Sequence, residues 1–501
     1  MIVDVIASIA RVEVLLPWLL GMLLGVFVGA IPGLTATMAT AILVPITYYL
    51  PPMGGLAMIL GCACVAIFAG DIPATYLRVP GTPSSGAAVL DGYEMTKQGR
   101  ASRALSLDVV CSSLGGLVGF TLLILGATAL AAVALKFSFY EFLWVSTFGL
   151  ATCVVISRGT MVKGAIAVFL GLFVSTIGVD IVTGYPRFTF GNVHLLSGVG
   201  FIPAMIGLFG IPVVLRTIMT PRHLDMPSVE EKKRFSIGGV LPTVNKFRNL
   251  ILRSSIVGTF IGSLPGAGAD IAAWVAYGMA KRNSKEPERF GTGCDEGVIA
   301  PTSANNAGIA GAWIPALALG IPGDSITAII LGASMIYGLR PGPLMFVGAS
   351  GELVRGLFAI GLITQLMLVP IGLLAIRAFG KVFKLPNSVI MPMILLFCIV
   401  GSYALNFSMF DVGAMFLFGL LGFYMERNGI PLPPLVLAII LGPLIERNLR
   451  LGLMQTGGNL LPFFTRPISI IVILAIILFL SWNKITSLAC RLRGTGGGSA
   501  P

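Results

Sequence analysis

Apolar runs of membrane-crossing length recur from one end of this chain to the other. They begin with "VLLPWLLGMLLGVFVGAI" and end with "PISIIVILAIILFLSW". Between them lie "LGGLVGFTLLILGATALAAVAL", "GAIAVFLGLFVSTIGV", "LFAIGLITQLMLVPIGLLAI" and "SVIMPMILLFCIVGSYAL". A helix needs about 20 such residues to cross a hydrocarbon core. Hydrophobic residues make up 56% of the 501 positions and charged residues 11%, less than half the share of about 25% usual in soluble domains. The runs do not alternate as barrel strands do. They predict an all-α polytopic membrane protein of about 12 spans, the count blurred by Gly and Pro interruptions. "MIVDVIASIARVEVLLPWLL" lacks a basic start and a small-residue cleavage site, so it reads as the first span or its lead-in. No polar stretch is long enough to bury a core of its own, which argues against an aqueous catalytic domain.

The formal net charge of +12 does not point to nucleic acid, because the basic residues sit in short gaps between apolar runs. The largest gap, 220–253, holds "PRHLDMPSVEEKKRFSIGG" and "NKFRNLILR", and its Lys/Arg excess places it in the cytoplasm. It divides the chain into a first membrane repeat (1–219), a polar linker (220–253) and a second repeat with C-terminal helices (254–490). The tail 491–501 starts basic and ends in "GTGGGSAP", a flexible appended linker set aside from fold reasoning. Seven scattered cysteines and two histidines, His194 and His223, without CxxC or HExxH spacing, give no zinc site. "DGYEMTKQGRASR" and "KRNSKEPERFGTGCDEGV" mix both charge signs and read first as solvated surface.

Two Pro-Gly phrases occur twice. "GVFVGAIPGL" at 25–34 matches "GTFIGSLPGA" at 258–267 with an offset of 233, and "PATYLRVPG" at 73–81 matches "PALALGIPG" at 315–323 with an offset of 242. Same order and near-constant offset argue for an internal duplication. Pro removes a backbone donor and Gly admits unusual backbone angles, so each phrase should end or interrupt a helix. In hydrocarbon, backbone groups freed in this way must be buried in protein or line a cavity. Kinks with glycines for close helix packing are the plainer account. Matched breaks followed by Thr82, Ser84, Ser85, Asp324, Ser325 and Thr327 favour the alternative, a transporter's midplane site built from half-helices. The repeats are expected to be inverted.

"VPGTPSSGAAVLDGYEMTKQGRASRAL", "GTFIGSLPGAGADIAAWVAYGMAKR", "FGTGCDEGVIAPTSANNAGIAGAWIPALALGIPGDSITAIILGA" and "LAIILGPLIERNLRLGLMQTGG" resemble the large membrane subunit (TctA-type) of tripartite tricarboxylate transporters, over the whole chain except the tail. The resemblance implies a bacterial inner-membrane uptake system that also contains a small four-helix membrane subunit and a periplasmic substrate-binding protein. It implies secondary transport of a carboxylate, a tricarboxylate, dicarboxylate or aromatic acid, driven by an ion gradient. No Walker phrase contradicts that. The chain departs from the family pattern at Asp71 and Arg78, where small or neutral polar residues are usual, and at Asp324.

The substrate site is expected at Gly33, Thr35, Gly81, Thr82, Ser84, Ser85, Gly266, Asn305, Asn306, Gly323, Ser325 and Thr327, with backbone N–H groups after the glycines facing the carboxylate. Arg78 either grips the carboxylate or pairs with Asp71 seven residues away. Asp270 and Asp324 are the coupling carboxylates, holding Na⁺ with nearby oxygens or titrating with H⁺; no other cofactor is expected. Valine at Gly81 or Gly323 is expected to spare insertion and abolish uptake. A membrane-embedded enzyme on a lipid or prenyl substrate lacks the acidic metal cluster its chemistry would need. A passive anion channel would need a continuous polar pore.

Overall fold

The computed structural model describes residues 10–31, 34–78, 80–156, 161–180, 183–219, 238–382 and 387–478. The tail 491–501, the first part of the 220–253 linker and the Pro32-Gly33 pair lie outside them. The described residues are mostly helical: α1 Val12–Gly29, α2 Ala36–Thr47, α3 Pro52–Ala69, α4 Asp71–Leu77, α5 Ser85–Lys97, α6 Ala101–Ala134, α7 Phe139–Ile156, α8 Met161–Ser175 and α9 Phe201–Met219. There follow α10 Leu241–Lys246, α11 Arg248–Gly262, α12 Gly268–Asn283, α13 Asp295–Leu319, α14 Ser325–Ile336, α15 Gly348–Val382, α16 Asn387–Asn406, α17 Met409–Arg427, α18 Leu432–Gln455 and α19 Leu461–Thr465. Helix α11 starts inside the range assigned above to the linker.

Seven helical stretches among the described residues are long and apolar enough to cross a membrane: Val12–Gly29, Pro52–Leu77, Ala101–Ala134, Phe201–Met219, Gly348–Ala378, Met409–Arg427 and Leu432–Gln455. Six further apolar helices among the described residues are shorter. Runs such as 36–47 and 325–336 are apolar but cut short by the Pro-Gly phrases.

Each phrase interrupts a helix, and the local means differ. After α1, Thr35 restarts the chain by accepting the Met38 N–H at 3.1 Å. Between α11 and α12, Gly266 and Gly268 take positive φ of 83° and 55°, angles that a side chain resists. Helix α4 stops at Arg78, itself left-handed at φ 60°. Helix α13 stops at Gly320 in the same conformation, and α14 restarts behind an Asp324 capping box with Thr327.

The centre of the molecule is made by α3 and α13, rich in small residues and buried nearly all round. Helices hydrophobic on every side belong in such a place. Without a hydrophobic force between helices in lipid, close backbone approach must hold them. Glycine supplies it twice in the same pattern. A Cβ on Gly25 would fall 2.6 Å from the Cys62 carbonyl oxygen, and one on Gly29 2.4 Å from that of Ala66. In the later half, a Cβ on Gly258 would fall 2.4 Å from Ala304 O, and one on Gly262 2.2 Å from Gly308 O. Thus α1 lies on α3 as α11 lies on α13, through residue pairs set by the same offsets that align the Pro-Gly phrases. The peripheral helices repeat the device, Gly207 of α9 meeting Met415 O of α17 and Gly171 of α8 meeting Leu435 O of α18.

The two mixed-charge segments do not simply face water. Asp91 of α5 is fully buried and accepts N–H bonds from Gly291, Gly293 and Cys294 at 2.9 Å and the Tyr277 hydroxyl at 3.0 Å. Next to it, Arg103 holds Asp295 in a two-pronged pair at 3.0 and 2.6 Å. The segments bind each other across the halves of the sequence. Burial, with the Asp91 charge next, pushes the Cys294 thiol up to about 12, so it stays protonated and unreactive. At 178–187 a two-residue antiparallel pair is tied to α18 by Arg187, whose guanidinium meets both oxygens of Glu446 at 2.6 and 3.1 Å, and by Arg450 on Asp180 at 2.8 Å.

Candidate functional site

Where the interrupted helices restart, they border an open cavity of about 800 Å³. The first half contributes Thr35, Thr37 and Thr82; the second contributes the 266–271 segment and 324–326. Helices α9 and α17 line it with Arg216, Glu426 and Arg427. The breaks are what allow this: they bring loop backbone and helix starts, polar by nature, to one place inside an apolar bundle.

The two helix starts of the second half are not alike. At α14, Asp324 takes the Thr327 N–H on Oδ1 at 2.8 Å, and Thr327 answers with its hydroxyl at 2.7 Å. The anion position at that terminus is thus filled by the protein's own carboxylate. At α12 the chain enters the helix at Ala267 without a side-chain cap, and Gly266, Ala267, Gly268 and Ala269 all border the cavity. Orphan N–H groups of a first turn, at the positive end of a helix, make an anion site. Gly266 and Ala267 are committed, their N–H groups donating to Gly323 O at 2.7 Å and to Leu264 O at 3.0 Å, and Asp270 stands in the same first turn. An alanine at Asp324 should lose the capping box, costing about 1–2 kcal/mol; a lowered apparent Tm in detergent checks this, and an unchanged Tm would show the cap to be idle.

Of the residues expected from sequence, Thr35, Thr82, Gly266, Asp270, Asp324 and Ser325 line the cavity. Thr327 sits behind Asp324. Ser84 and Ser85 lie beneath Thr82, whose Oγ1 is 2.9 Å from Ser84 Oγ and 2.7 Å from Ser85 Oγ. Asn305 and Asn306 are buried inside α13: Asn305 donates to Asp71 Oδ2 at 3.1 Å, and Asn306 to Gln365 Oε1 at 3.3 Å. Gly33 falls outside the described residues.

Gly81 and Gly323 serve packing. Neither has a positive φ; a Cβ on Gly81 would lie 2.7 Å from Gly70 Cα, and one on Gly323 2.6 Å from Ala312 Cα. The seven-residue spacing does not pair Asp71 with Arg78, because the helix ends at Leu77. Arg78 is exposed, with its guanidinium 5.7 Å from the Tyr93 ring centre, and Asp71 is fully buried.

Sequence reasoning passed over Arg216 and Glu426, which pair at 2.5 Å, and Arg427. Each stands at the end of an apolar run, where a flanking charge is ordinary. Their meeting at one cavity is a tertiary fact without a local signal.

The model of the tripartite tricarboxylate transporter TctA family matches residues 15–437. The chain belongs to the TctA family. Like other members it is a multi-pass membrane protein of a transporter family, one that works with further subunits. A protein of Agrobacterium vitis described as "Uncharacterized 52.8 kDa protein in TAR-I ttuC' 3'region" is 35% identical over 449 residues, 90% of this chain and 89% of that protein. A second from the same organism, "Uncharacterized protein in TAR-II ttuC' 3'region", is 38% identical over 212 residues, 42% of this chain and 87% of the relative. No solved structure matches the chain.

Proposed function

We propose that this TctA-family chain is the large subunit of a bacterial inner-membrane importer, which moves a carboxylate by ion-coupled alternating access. It would act with a small four-helix membrane subunit and a periplasmic binding protein that delivers the substrate. The observation that carries this reading is the cavity bordered by both interrupted helix sets, with the uncapped start of α12 on its wall. A substrate carboxylate fits there against first-turn N–H groups, with the Thr35 and Thr82 hydroxyls to orient it. Three acidic side chains, Asp270, Asp324 and Glu426, border the same space, the last of them paired with Arg216. Their charge opposes a lone anion and favours an anion that arrives with a cation, which is the electrostatic requirement of symport. Carboxylate, hydroxyl and carbonyl oxygens at 266–271 and 324–326 suit Na⁺.

The matched glycine seams of α1 on α3 and α11 on α13 support two homologous repeats, and we read them as inverted. Rocking of one repeat against the other would expose the cavity to each side in turn. The experiment is uptake of labelled di- and tricarboxylates into proteoliposomes. Uptake should be weak with this chain alone, rise on adding the small subunit and the loaded binding protein, and collapse without a Na⁺ gradient. Full-rate uptake by the chain alone would sink the tripartite reading. Equal uptake on a proton gradient without Na⁺ would remove the Na⁺ assignment.

A further inference from the structure

Beneath the cavity, two acids lie together in the apolar interior. Asp71 opens α4 and Asp108 sits within α6; they are 0% and 1% exposed, and their carboxyl groups lie against each other. Asn305 gives its amide N–H to Asp71 Oδ2 at 3.1 Å, and Ser112 its hydroxyl to Asp108 Oδ1 at 3.1 Å. That leaves Asp71 Oδ1, Asp108 Oδ2 and the carbonyl oxygen of Asn305, itself 1% exposed, buried without a donor. All three are acceptors. No ion pair among the described residues reaches either acid, and the other titratable side chain bearing on the pair is the Cys111 thiol on α6 itself. On α3, the Cys64 thiol turns to Gln365 of α15 instead. The neighbours from α5 and α13 are the neutral Ser85 and Asn305.

Two carboxylates in contact, away from water and without a cation, cannot both stay ionised, since each raises the cost of the other's charge. One proton placed between them removes a charge and supplies the missing donor. We propose that Asp71 and Asp108 share one proton and form a proton-binding site distinct from the acids of the cavity, loaded from that cavity through Thr82 and Ser85. Thr82 borders the cavity. Its hydroxyl is 2.7 Å from that of Ser85, and Ser85 lies beside Asp71. A hydronium ion in the cavity gives a proton to Thr82 Oγ1 and is left as water; Thr82 gives its own to Ser85 Oγ, which gives its own to Asp71. Each hydroxyl ends as it began, and one carboxylate becomes a carboxylic acid. In transport, which rests on the importer reading, this proton travels with the substrate in addition to the cation of the cavity.

Proton binding itself is testable without transport. Infrared difference spectra of the full chain in nanodiscs, recorded across a pH titration, should contain a carboxylic-acid carbonyl band that both Asp71→Asn and Asp108→Asn remove and Asp324→Asn leaves. Asparagine keeps the shape and polarity of each site, and a retained gel-filtration peak checks folding; Asp108→Asn alone decides if the other variant fails. Absence of the band in the wild type, or its survival in Asp108→Asn, overturns the shared proton. Loss of the band on replacing K⁺ by Na⁺ also overturns it, in favour of a metal cation between the acids. In proteoliposomes of the complete system, substrate-driven acidification of the lumen should be lost in Asp108→Asn. If no carboxylate is taken up at all while the band behaves as stated, the importer reading fails and the proton site stands. If uptake proceeds with acidification intact in Asp108→Asn, the site does not load a transported proton.

Discussion

Valine at Gly81 or Gly323 is expected to cost the protein its fold, and transport with it. Bound between backbones, these glycines leave no room even for a methyl group: the nearest atoms to an added Cβ are Gly29 O at 2.4 Å for Gly81 and Ala312 Cα at 2.6 Å for Gly323. Backbone cannot swing aside as a side-chain tip can. Overpacking of a well-filled interior costs about 1–3 kcal/mol per insertion, and a branched side chain against two main chains lies at or beyond the upper end. The sequence expectation that these variants insert but fail in uptake treats the glycines as turn residues. They are spacers that let each interrupted loop touch both helices of its seam. Detergent-solubilised Gly81→Val and Gly323→Val should give no monodisperse peak on fluorescence-detected gel filtration. Gly278→Ala is the control, because nothing lies within 4 Å of its added Cβ and alanine improves a helix interior by up to about 1 kcal/mol. Monodisperse, stable valine variants would mean the loops can part from the seams.

The contrast between what the residues announced and what only the fold revealed has a physical basis. Length, apolarity and Pro-Gly breaks are local properties, so the helical membrane class, the positions of the interruptions and the chain's family all came from reading along the sequence. The matched phrases at 25–34 and 258–267 even located the glycines of the two seams, though not their purpose. Residues at the restarting ends, such as Thr82, Gly266 and Ser325, reached the cavity because a helix break is where polar backbone must collect. Asn305 and Asn306 were read as site residues by type, but they point into the core from the middle of α13, one turning to Asp71 and the other to Gln365. Asp108 gave no signal at all, a single acid in an otherwise ordinary helix that acquires meaning only from Asp71. The span count is blurred for the opposite reason: hydropathy registers apolarity and does not tell a short apolar helix such as 36–47 or 325–336 from one of spanning length.

Asp91 carries the second large expected effect. Its carboxylate is buried between α5 and the loop that leads into α13, and it accepts from three backbone N–H groups, those of Gly291, Gly293 and Cys294, as well as from the Tyr277 hydroxyl. Gly291 and Gly293 have φ of 88° and 94°, so the loop is shaped to aim its N–H groups at one point. Burial, with the Asp91 charge second, holds the Tyr277 phenol above its ordinary range, so it stays a donor. Alanine at 91 would strand all four donors. Each buried group left without a partner costs about 1–3 kcal/mol, and the loop would relax to recover part of it, leaving a loss of roughly 3–5 kcal/mol, at the exceptional end for a single substitution. Asparagine keeps one carbonyl acceptor and should lose less. Tyr277→Phe removes one donor together with its need for a partner, and should cost about 1 kcal/mol. The apparent Tm in detergent should therefore fall in the order wild type, Tyr277→Phe, Asp91→Asn, Asp91→Ala, with amide exchange at 291–294 quickening in the same order. Because α5 follows directly from the Thr82 loop and α13 leads directly to Gly323, the loosened clasp should also slacken both interrupted loops of the cavity. Equal melting across the series would show that the two halves of the sequence are held together elsewhere.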